Sequence, residues 1–313
     1  MHPISEVLPP LDDVLTVANW LVEITGRDLA DVQRRLLAES GFVGHNVCEA
    51  AGEFGLVPHV WNDRLLEFYG ATDAFLFETV TWNATRMKQD MRNAVCRALT
   101  KRLPHGARVL CYGDGMGFDS AALARCGFRV TCYEVSGPCL EFARRLFAFN
   151  QLDVTIETNE ENFAAGTFDA IVCLDVLEHL PDPVDAVQKF SKWLTESGFL
   201  AAHAPFYHVD ATRPTHLRSN RRFSGMIEGL YGRAGLQAVE TCGPILNPIL
   251  LQKRSGNSVT PTLVSRLRLR VAQSIVWIAG FFRHVPRLVA AVVCKPPCEW
   301  KQTLAKAAKC QGR

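Results

Sequence analysis

The first hundred residues place apolar side chains at helical spacing. LDDVLTVANWLVEI and DLADVQRRLLAES have apolar residues three or four positions apart, and Gly26 and Gly41 follow as stop signals. A third helical segment, TVTWNATRMKQDMRNAVCRALTKRL, continues to Pro104. Because no short strand-like run interrupts this region, we predict an N-terminal helical cap over residues 1–103 that shapes the site of the adjoining domain.

After Pro104, short apolar runs alternate with helical segments. The runs are ARVLCY, FRVTCYEV, VTIE, FDAIVCLDV and GFLAAHAPF. Such alternation predicts a parallel sheet with helices on both faces, and continuous apolar runs fit strands that are covered on both sides. A helix is predicted over 221–235, and LQAVETCG and ILNPILLQK are the last two candidate strands. We therefore expect a doubly wound, mostly parallel, seven-stranded α/β domain over residues 104–254.

The charge distribution separates a third region, a basic helical tail over residues 255–313. From Lys253 to Arg313 there are 12 Lys/Arg and one acid, Glu299, which gives +11; since the whole chain sums to +2, the other residues sum to −9. Such a tail is able to meet an anionic surface, and its arginines and aromatic residues fit peripheral membrane contact. The alternative is a pair of helices that pack on the body with solvated arginines. Its longest uncharged stretch, 271–282, is too short to span a bilayer.

A glycine-rich loop follows the first predicted strand, in VLCYGDGMGFDS. Gly113, Gly115 and Gly117 let a ligand approach the backbone, and the helix start behind them favours a polar or negative group. Glu134 ends the next apolar run, where a carboxylate can accept hydrogen bonds from ribose hydroxyls. The spacing is GxGxG, whereas dinucleotide sites have GxGxxG. With Asp119 in the first helical turn, the pattern favours a nucleoside that bears an amino acid.

Three successive motifs resemble those of class I S-adenosylmethionine-dependent methyltransferases. They are VLCYGDGMGFDS, CYEVSGPCLEFARR and FDAIVCLDVLEHLPDP, and the likeness is greatest to the small-molecule branch that includes ubiquinone-biosynthesis enzymes. The resemblance covers about residues 105–240 and implies a Rossmann-like fold with S-adenosylmethionine as cofactor.

The resemblance also implies roles for individual residues. Gly113, Gly115 and Gly117 would line the methionine part of the cofactor, and Glu134 would hold the ribose. The other implied contacts are adenine at Asn159 or Glu160, the sulfonium near Leu174 and Asp175, and the amino end at Asp114 and Asp119. The family usually has an acid at the position of Cys111, so this departure puts one supporting contact in doubt.

Histidines near the predicted carboxyl edge of the sheet are the candidate bases for a hydroxyl nucleophile. His179 follows the fourth strand, and His208 and His216 lie in the polar segment after the fifth. His203, His208 and Asp210 match no standard metal spacing, so we expect no metal.

These residues predict an O-methyltransferase that acts on a small or lipid-like molecule. The alternatives are an N-methyltransferase and a non-catalytic protein that binds S-adenosylmethionine and acts through a partner or membrane. A nucleic-acid substrate is disfavoured because no Pro-Pro-Tyr-type motif follows the fourth strand. The N-terminal stretch lacks the pattern of a signal peptide, and cysteines lie in apolar runs, so we expect a cytoplasmic protein. Peripheral contact with a membrane through the tail is the alternative.

Overall fold

A computed structural model describes residues 7–242, 248–256, 261–281, 295 and 297–311. Its centre is a seven-stranded sheet in the order β3-β2-β1-β4-β5-β7-β6. The strands are β1 (Arg108–Tyr112), β2 (Arg129–Tyr133), β3 (Val154–Glu157), β4 (Phe168–Leu174), β5 (Leu194–His203), β6 (Leu236–Thr241) and β7 (Ile249–Lys253). Strands β1 to β5 pair in parallel, while β7 runs antiparallel to both β5 and β6. The predicted doubly wound, mostly parallel α/β fold is confirmed.

Helices cover the sheet and build the cap in front of it. The cap helices are α1 (Val14–Thr25), α2 (Leu29–Gly41), α3 (His45–Glu53), α4 (Asp63–Ala71), α5 (Ala74–Ala84) and α6 (Arg86–Thr100). The helices between strands are α7 (Phe118–Arg125), α8 (Gly137–Phe149), α9 (Pro183–Trp193) and the short α10 (Ile227–Leu230). Helices α11 (Leu263–Phe281) and α12 (Cys298–Gln311) belong to the tail.

The third predicted cap helix is divided in two at Thr85. Thr85 has an extended backbone (φ −66°, ψ 144°), its hydroxyl donates to the Trp82 carbonyl, and its side chain accepts from the Lys88 amide. A threonine in this geometry ends one helix and caps the next. The division directs the first turns of α6 toward the carboxyl edge of the sheet, where the site lies.

Residues 221–235 do not form the single continuous helix that the sequence predicts. The segment contains a 3-10 turn at Arg218–Phe223, the four residues of α10, and a second 3-10 turn at Gly232–Ala234. Gly225 has φ +70°, and a Cβ there would lie 2.8 Å from the Gln273 carbonyl oxygen. The left-handed backbone interrupts the helix and lets α11 approach closely.

Both tail helices contact the body of the protein. Leu269 of α11 is buried with residues of the sheet and α9. On α12, Trp300 donates its indole N–H to the Leu11 carbonyl at 3.0 Å, and Leu304 is buried beside the first cap helices. Among the described helices, none is both long and apolar enough to cross a membrane.

Candidate functional site

The loop between β1 and α7 is built from glycines with left-handed backbones. Gly113, Gly115 and Gly117 have φ values of +69°, +61° and +81°. A Cβ on Gly113 would lie 2.8 Å from Val176, and one on Gly117 would lie 2.6 Å from Phe147. Side chains are therefore disfavoured by conformation at all three positions, and at Gly113 and Gly117 they are also excluded by lack of space.

Asp114 supports this loop from within. Its two carboxylate oxygens accept the backbone N–H groups of Asp119 and Ser120, at 3.1 and 2.7 Å, in the first turn of α7. Cys111, the departure noted in the sequence, is buried in β1 beneath this loop. Burial, together with the nearby Asp119 charge, raises the pKa of Asp114 to about 7. Asp114 thus fixes the start of the helix from inside the loop.

Glu134 joins the glycine loop to the end of β2. One carboxylate oxygen accepts the Gly115 N–H at 2.8 Å, and the other accepts the N–H groups of Val135 and Ser136. These bonds fix the direction of the carboxylate and leave lone pairs available, since each oxygen can accept more than one hydrogen.

A cavity of about 900 Å³ opens above the carboxyl ends of β1, β2, β4 and β5. Seven of the residues predicted from the sequence to bind cofactor line it: Gly113, Asp114, Gly115, Asp119, Glu134, Leu174 and Asp175. Gly117, Asn159 and Glu160 are not part of its lining. Glu160 instead binds Lys189 at 2.6 Å and the Tyr112 hydroxyl at 3.0 Å, and Asn159 caps a 3-10 turn. The adenine contact at these two residues stays a prediction.

A buried network of charges joins the cap to this cavity, and it was not predicted from the sequence. Lys88 Nζ lies 3.1 Å from both Asp119 Oδ2 and Asp175 Oδ2, and Arg92 Nε lies 2.9 Å from Asp119 Oδ1. Burial alone would raise the pKa of Asp119, but the charges of Lys88 and Arg92 hold it below its ordinary value. Asp119 therefore lines the cavity while Lys88 and Arg92 neutralise its negative charge.

One sequence signal could have revealed this network. Lys88 and Arg92 are four residues apart and share a helix face with the buried Met91, Val95 and Leu99. A cation on the apolar face of an amphipathic helix is rare unless it has a buried partner.

The three histidines predicted as bases also line the cavity and lie close to one another. The rings of His179 and His216 meet edge to face with centroids 4.7 Å apart, and those of His208 and His216 lie 5.9 Å apart. His216 Nδ1 lies 2.7 Å from the His208 carbonyl, and His179 Nδ1 lies 3.2 Å from the Tyr69 hydroxyl. Burial lowers the pKa of His179 to about 4 and that of His216 well below its usual range. Both rings are therefore neutral at pH 7.

Glu178 extends the group formed by His179 and His216. Ligating atoms of the three residues lie within 4.8 Å of one another. Neither carboxylate oxygen of Glu178 has a hydrogen-bond partner among the described residues, and burial raises its pKa well above the ordinary value. Two neutral imidazoles and a carboxyl group are able to hold a divalent cation, a set different from the His203, His208 and Asp210 group considered from the sequence.

Comparison with known proteins agrees with this geometry. Residues 110–202 match the model of a methyltransferase domain family. A "Ubiquinone biosynthesis O-methyltransferase" of Xanthomonas axonopodis pv. citri is 37% identical over 101 residues, 31% of this chain and 42% of that protein. The protein of the same name from Xylella fastidiosa is 39% identical over 107 residues, 33% of this chain and 44% of its own. The chain thus spans less than half the length of these relatives.

Among solved structures, a SAM-dependent methyltransferase of Aquifex aeolicus is similar, with 16% identity and a TM-score of 0.42 over 54% of this chain and 94% of that one. This likeness is too weak to argue from, so the assignment depends on the matched motifs and on the sheet. By these, residues 110–202 are similar to a methyltransferase domain, and the seven-stranded sheet that contains them agrees with this similarity.

Proposed function

We propose that this protein transfers a methyl group from S-adenosylmethionine to a hydroxyl group of a small or lipid-like acceptor. The observation that carries the proposal is that one cavity combines two kinds of lining. The glycine loop and Glu134 line it together with histidines and aromatic side chains. The volume of about 900 Å³ is enough for a nucleoside and a second small molecule together.

The residues present fit S-adenosylmethionine. The glycine loop offers a surface without side chains, and the fixed Glu134 carboxylate faces the same cavity. When bound, S-adenosylmethionine supplies a methyl group on a sulfonium, which is already activated for displacement. The protein then has to align the acceptor with it, exclude water and take up the acceptor proton.

Apolar and aromatic side chains line the part of the cavity that we assign to the acceptor. Tyr69 and Phe75 stack with their centroids 5.0 Å apart, and Trp61 and Leu66 line the cavity while remaining 37% and 50% exposed. Such a surface suits an aromatic or isoprenoid acceptor. The names of the relatives from Xanthomonas and Xylella, which refer to ubiquinone biosynthesis, are consistent with an acceptor of this kind.

Replacing the predicted bases tests whether the acceptor is a hydroxyl. If His179, His208 or His216 takes up the proton, its change to Ala will reduce kcat by about 100- to 10,000-fold. The measurement is formation of S-adenosylhomocysteine with a phenolic acceptor, and His105→Ala, at an exposed position outside the cavity, is the control. Unchanged rates and pH profiles in all three variants would show that none of these three histidines is the base.

We also propose that α11 brings the cavity to an anionic membrane surface. Leu263, Leu267, Val271 and Ile278 are between 45% and 83% exposed and share one helix face. Arg266, Arg268 and Arg270 border this face, and Ile275 of the same helix lines the cavity. An apolar face bordered by arginines is typical of helices that lie in the membrane interface.

Vesicle co-sedimentation tests this surface. We expect binding to vesicles that contain phosphatidylglycerol and weaker binding to phosphatidylcholine alone, since each surface arginine contributes about 1 kcal/mol toward anionic lipid. The triple change Leu263→Ser, Leu267→Ser and Val271→Ser will weaken binding. Leu15→Ser, at a 41% exposed leucine of α1, is the control and will not. Equal sedimentation of the triple variant and the wild type would exclude α11 as the contact.

A further inference from the structure

We propose that His203, oriented by Asp175, is the general base for the hydroxyl acceptor. The inference depends on the proposed O-methyl transfer and names a residue outside the three histidines predicted from the sequence. His203 ends β5 and Asp175 follows the neighbouring β4, with the Asp175 amide donating to the His203 carbonyl at 2.9 Å. The strand pairing therefore places both side chains at the same point of the sheet edge, and both line the cavity.

The contact between the two side chains is short and well supported. His203 Nδ1 lies 2.5 Å from Asp175 Oδ1. The other oxygen, Oδ2, accepts from Trp82 Nε1 at 2.9 Å and from Lys88 Nζ at 3.1 Å. Asp175 also has φ +63°, in the left-handed region that few non-glycine residues adopt. Such backbone strain is concentrated at functional sites, where surrounding contacts hold it.

The protonation of this pair follows from its environment. Burial alone would raise the pKa of Asp175, but the charge of Lys88 and the hydrogen bonds from His203 and Trp82 hold it well below its ordinary value. An ionised carboxylate can only accept, so His203 Nδ1 carries the hydrogen and the lone pair is on Nε2. No described residue makes a hydrogen bond to Nε2, and the ring borders the cavity.

The other histidines lack one part of this arrangement. His179 and His216 hydrogen-bond a hydroxyl and a carbonyl, which stabilise a charged ring less than a carboxylate does. His208 meets Asp210, but through Nε2 and at 3.4 Å. The Asp175 carboxylate both selects the tautomer of His203 and stabilises the imidazolium that proton uptake creates, as the buried aspartate does in hydrolytic triads.

The step balances without a further reactant. The acceptor O–H proton moves to His203 Nε2 while the oxygen forms a bond to the methyl carbon. The carbon–sulfur bond breaks, and its electron pair stays on sulfur. The products are a methyl ether, S-adenosylhomocysteine and a protonated His203, which returns its proton to solvent.

Two acceptors of different acidity separate a base from a structural residue. In His203→Gln, we expect kcat for catechol to fall about 100- to 10,000-fold with little change in KM. The fall will be at most about tenfold for 4-nitrocatechol, which is largely ionised at the assay pH and needs less help from a base. Equal losses for both acceptors, or no loss for either, would overturn the proposal. His105→Gln is the control.

A second measurement tests the proposal even if neither catechol nor 4-nitrocatechol is methylated. Two-bond ¹H–¹⁵N spectra of the S-adenosylhomocysteine complex report the tautomer of each histidine, and His203→Gln assigns the signal. We expect the Nδ1–H form in the wild type and its loss in Asp175→Asn. A Nε2–H tautomer would refute the dyad. Absence of methyl transfer with this tautomer intact would instead count against the proposed function alone.

Discussion

Glu134→Ala is expected to weaken S-adenosylmethionine binding by about 2–4 kcal/mol, or roughly 30- to 1,000-fold in Kd. The change removes a charged acceptor from the cavity and also leaves the N–H groups of Gly115, Val135 and Ser136 without their partner. Glu157→Ala is a matched control. Glu157 ends the neighbouring β3, also accepts backbone N–H groups, and does not line the cavity.

Gly115→Val tests the same part of the cavity lining without removing a charge. Its φ of +61° is unfavourable for a β-branched residue, so both strain and the new side chain will disturb the loop. Gly166→Val has nearly the same backbone strain, with φ +65°, and lies outside the cavity. Isothermal titration calorimetry is the measurement. Wild-type affinity in both Glu134→Ala and Gly115→Val would contradict the cofactor assignment.

Lys88→Met is expected to lower the free energy of unfolding by about 3–5 kcal/mol, because it leaves buried carboxylates without their shared cation. Lys88 Nζ contacts both Asp119 and Asp175, and its side chain is 4% exposed. Urea unfolding measures the change, and Lys101→Met, at an exposed position of the same region, will stay within about 0.5 kcal/mol of wild type.

The loss of unfolding free energy in Lys88→Met is expected to depend on pH in a defined direction. Lys88 helps to hold the pKa values of Asp119 and Asp175 below their unfolded values. Depressed carboxyl pKa values contribute stability above the unfolded pKa near 3.8 and lose it as the pH falls through the folded value. The defect of Lys88→Met will therefore be largest at neutral pH and smaller in acid.

A second substitution separates the contribution of the Lys88 charge to stability from the contribution of its packing. Lys88→Met together with Asp175→Asn restores the charge balance of the network and will recover part of the lost stability. A defect that is constant with pH and unaffected by the second change would mean that Lys88 contributes by packing alone.

The sheet could be predicted because each strand is indicated by a short stretch of neighbouring residues. Each parallel strand is a continuous apolar run bounded by turn residues, and the glycine spacing with Glu134 indicates the ligand before any contact is known. The end of α5 at Thr85 was missed because no glycine or proline marks it. Its signal is a threonine that caps α6, which a continuous helical pattern conceals.

The cap side of the site could not be predicted because it depends on tertiary packing. Lys88 lies near Asp119 and Asp175, and Arg92 near Asp119, only because the start of α6 packs beside the start of α7 and the end of β4. Likewise, the sequence indicated His203 only as a candidate metal ligand and not as a base. Its partner is 28 residues away in the chain and adjacent only through strand pairing.

Transfer of a labelled methyl group tests the central claim most directly. The protein is incubated with ¹³C-methyl S-adenosylmethionine and a lipid extract, and the extract is examined by carbon NMR. We expect a labelled methoxy carbon that is absent when Glu134→Ala replaces the wild type. A labelled N-methyl carbon, or a protein that binds the cofactor and transfers no label to any acceptor, would contradict O-methylation.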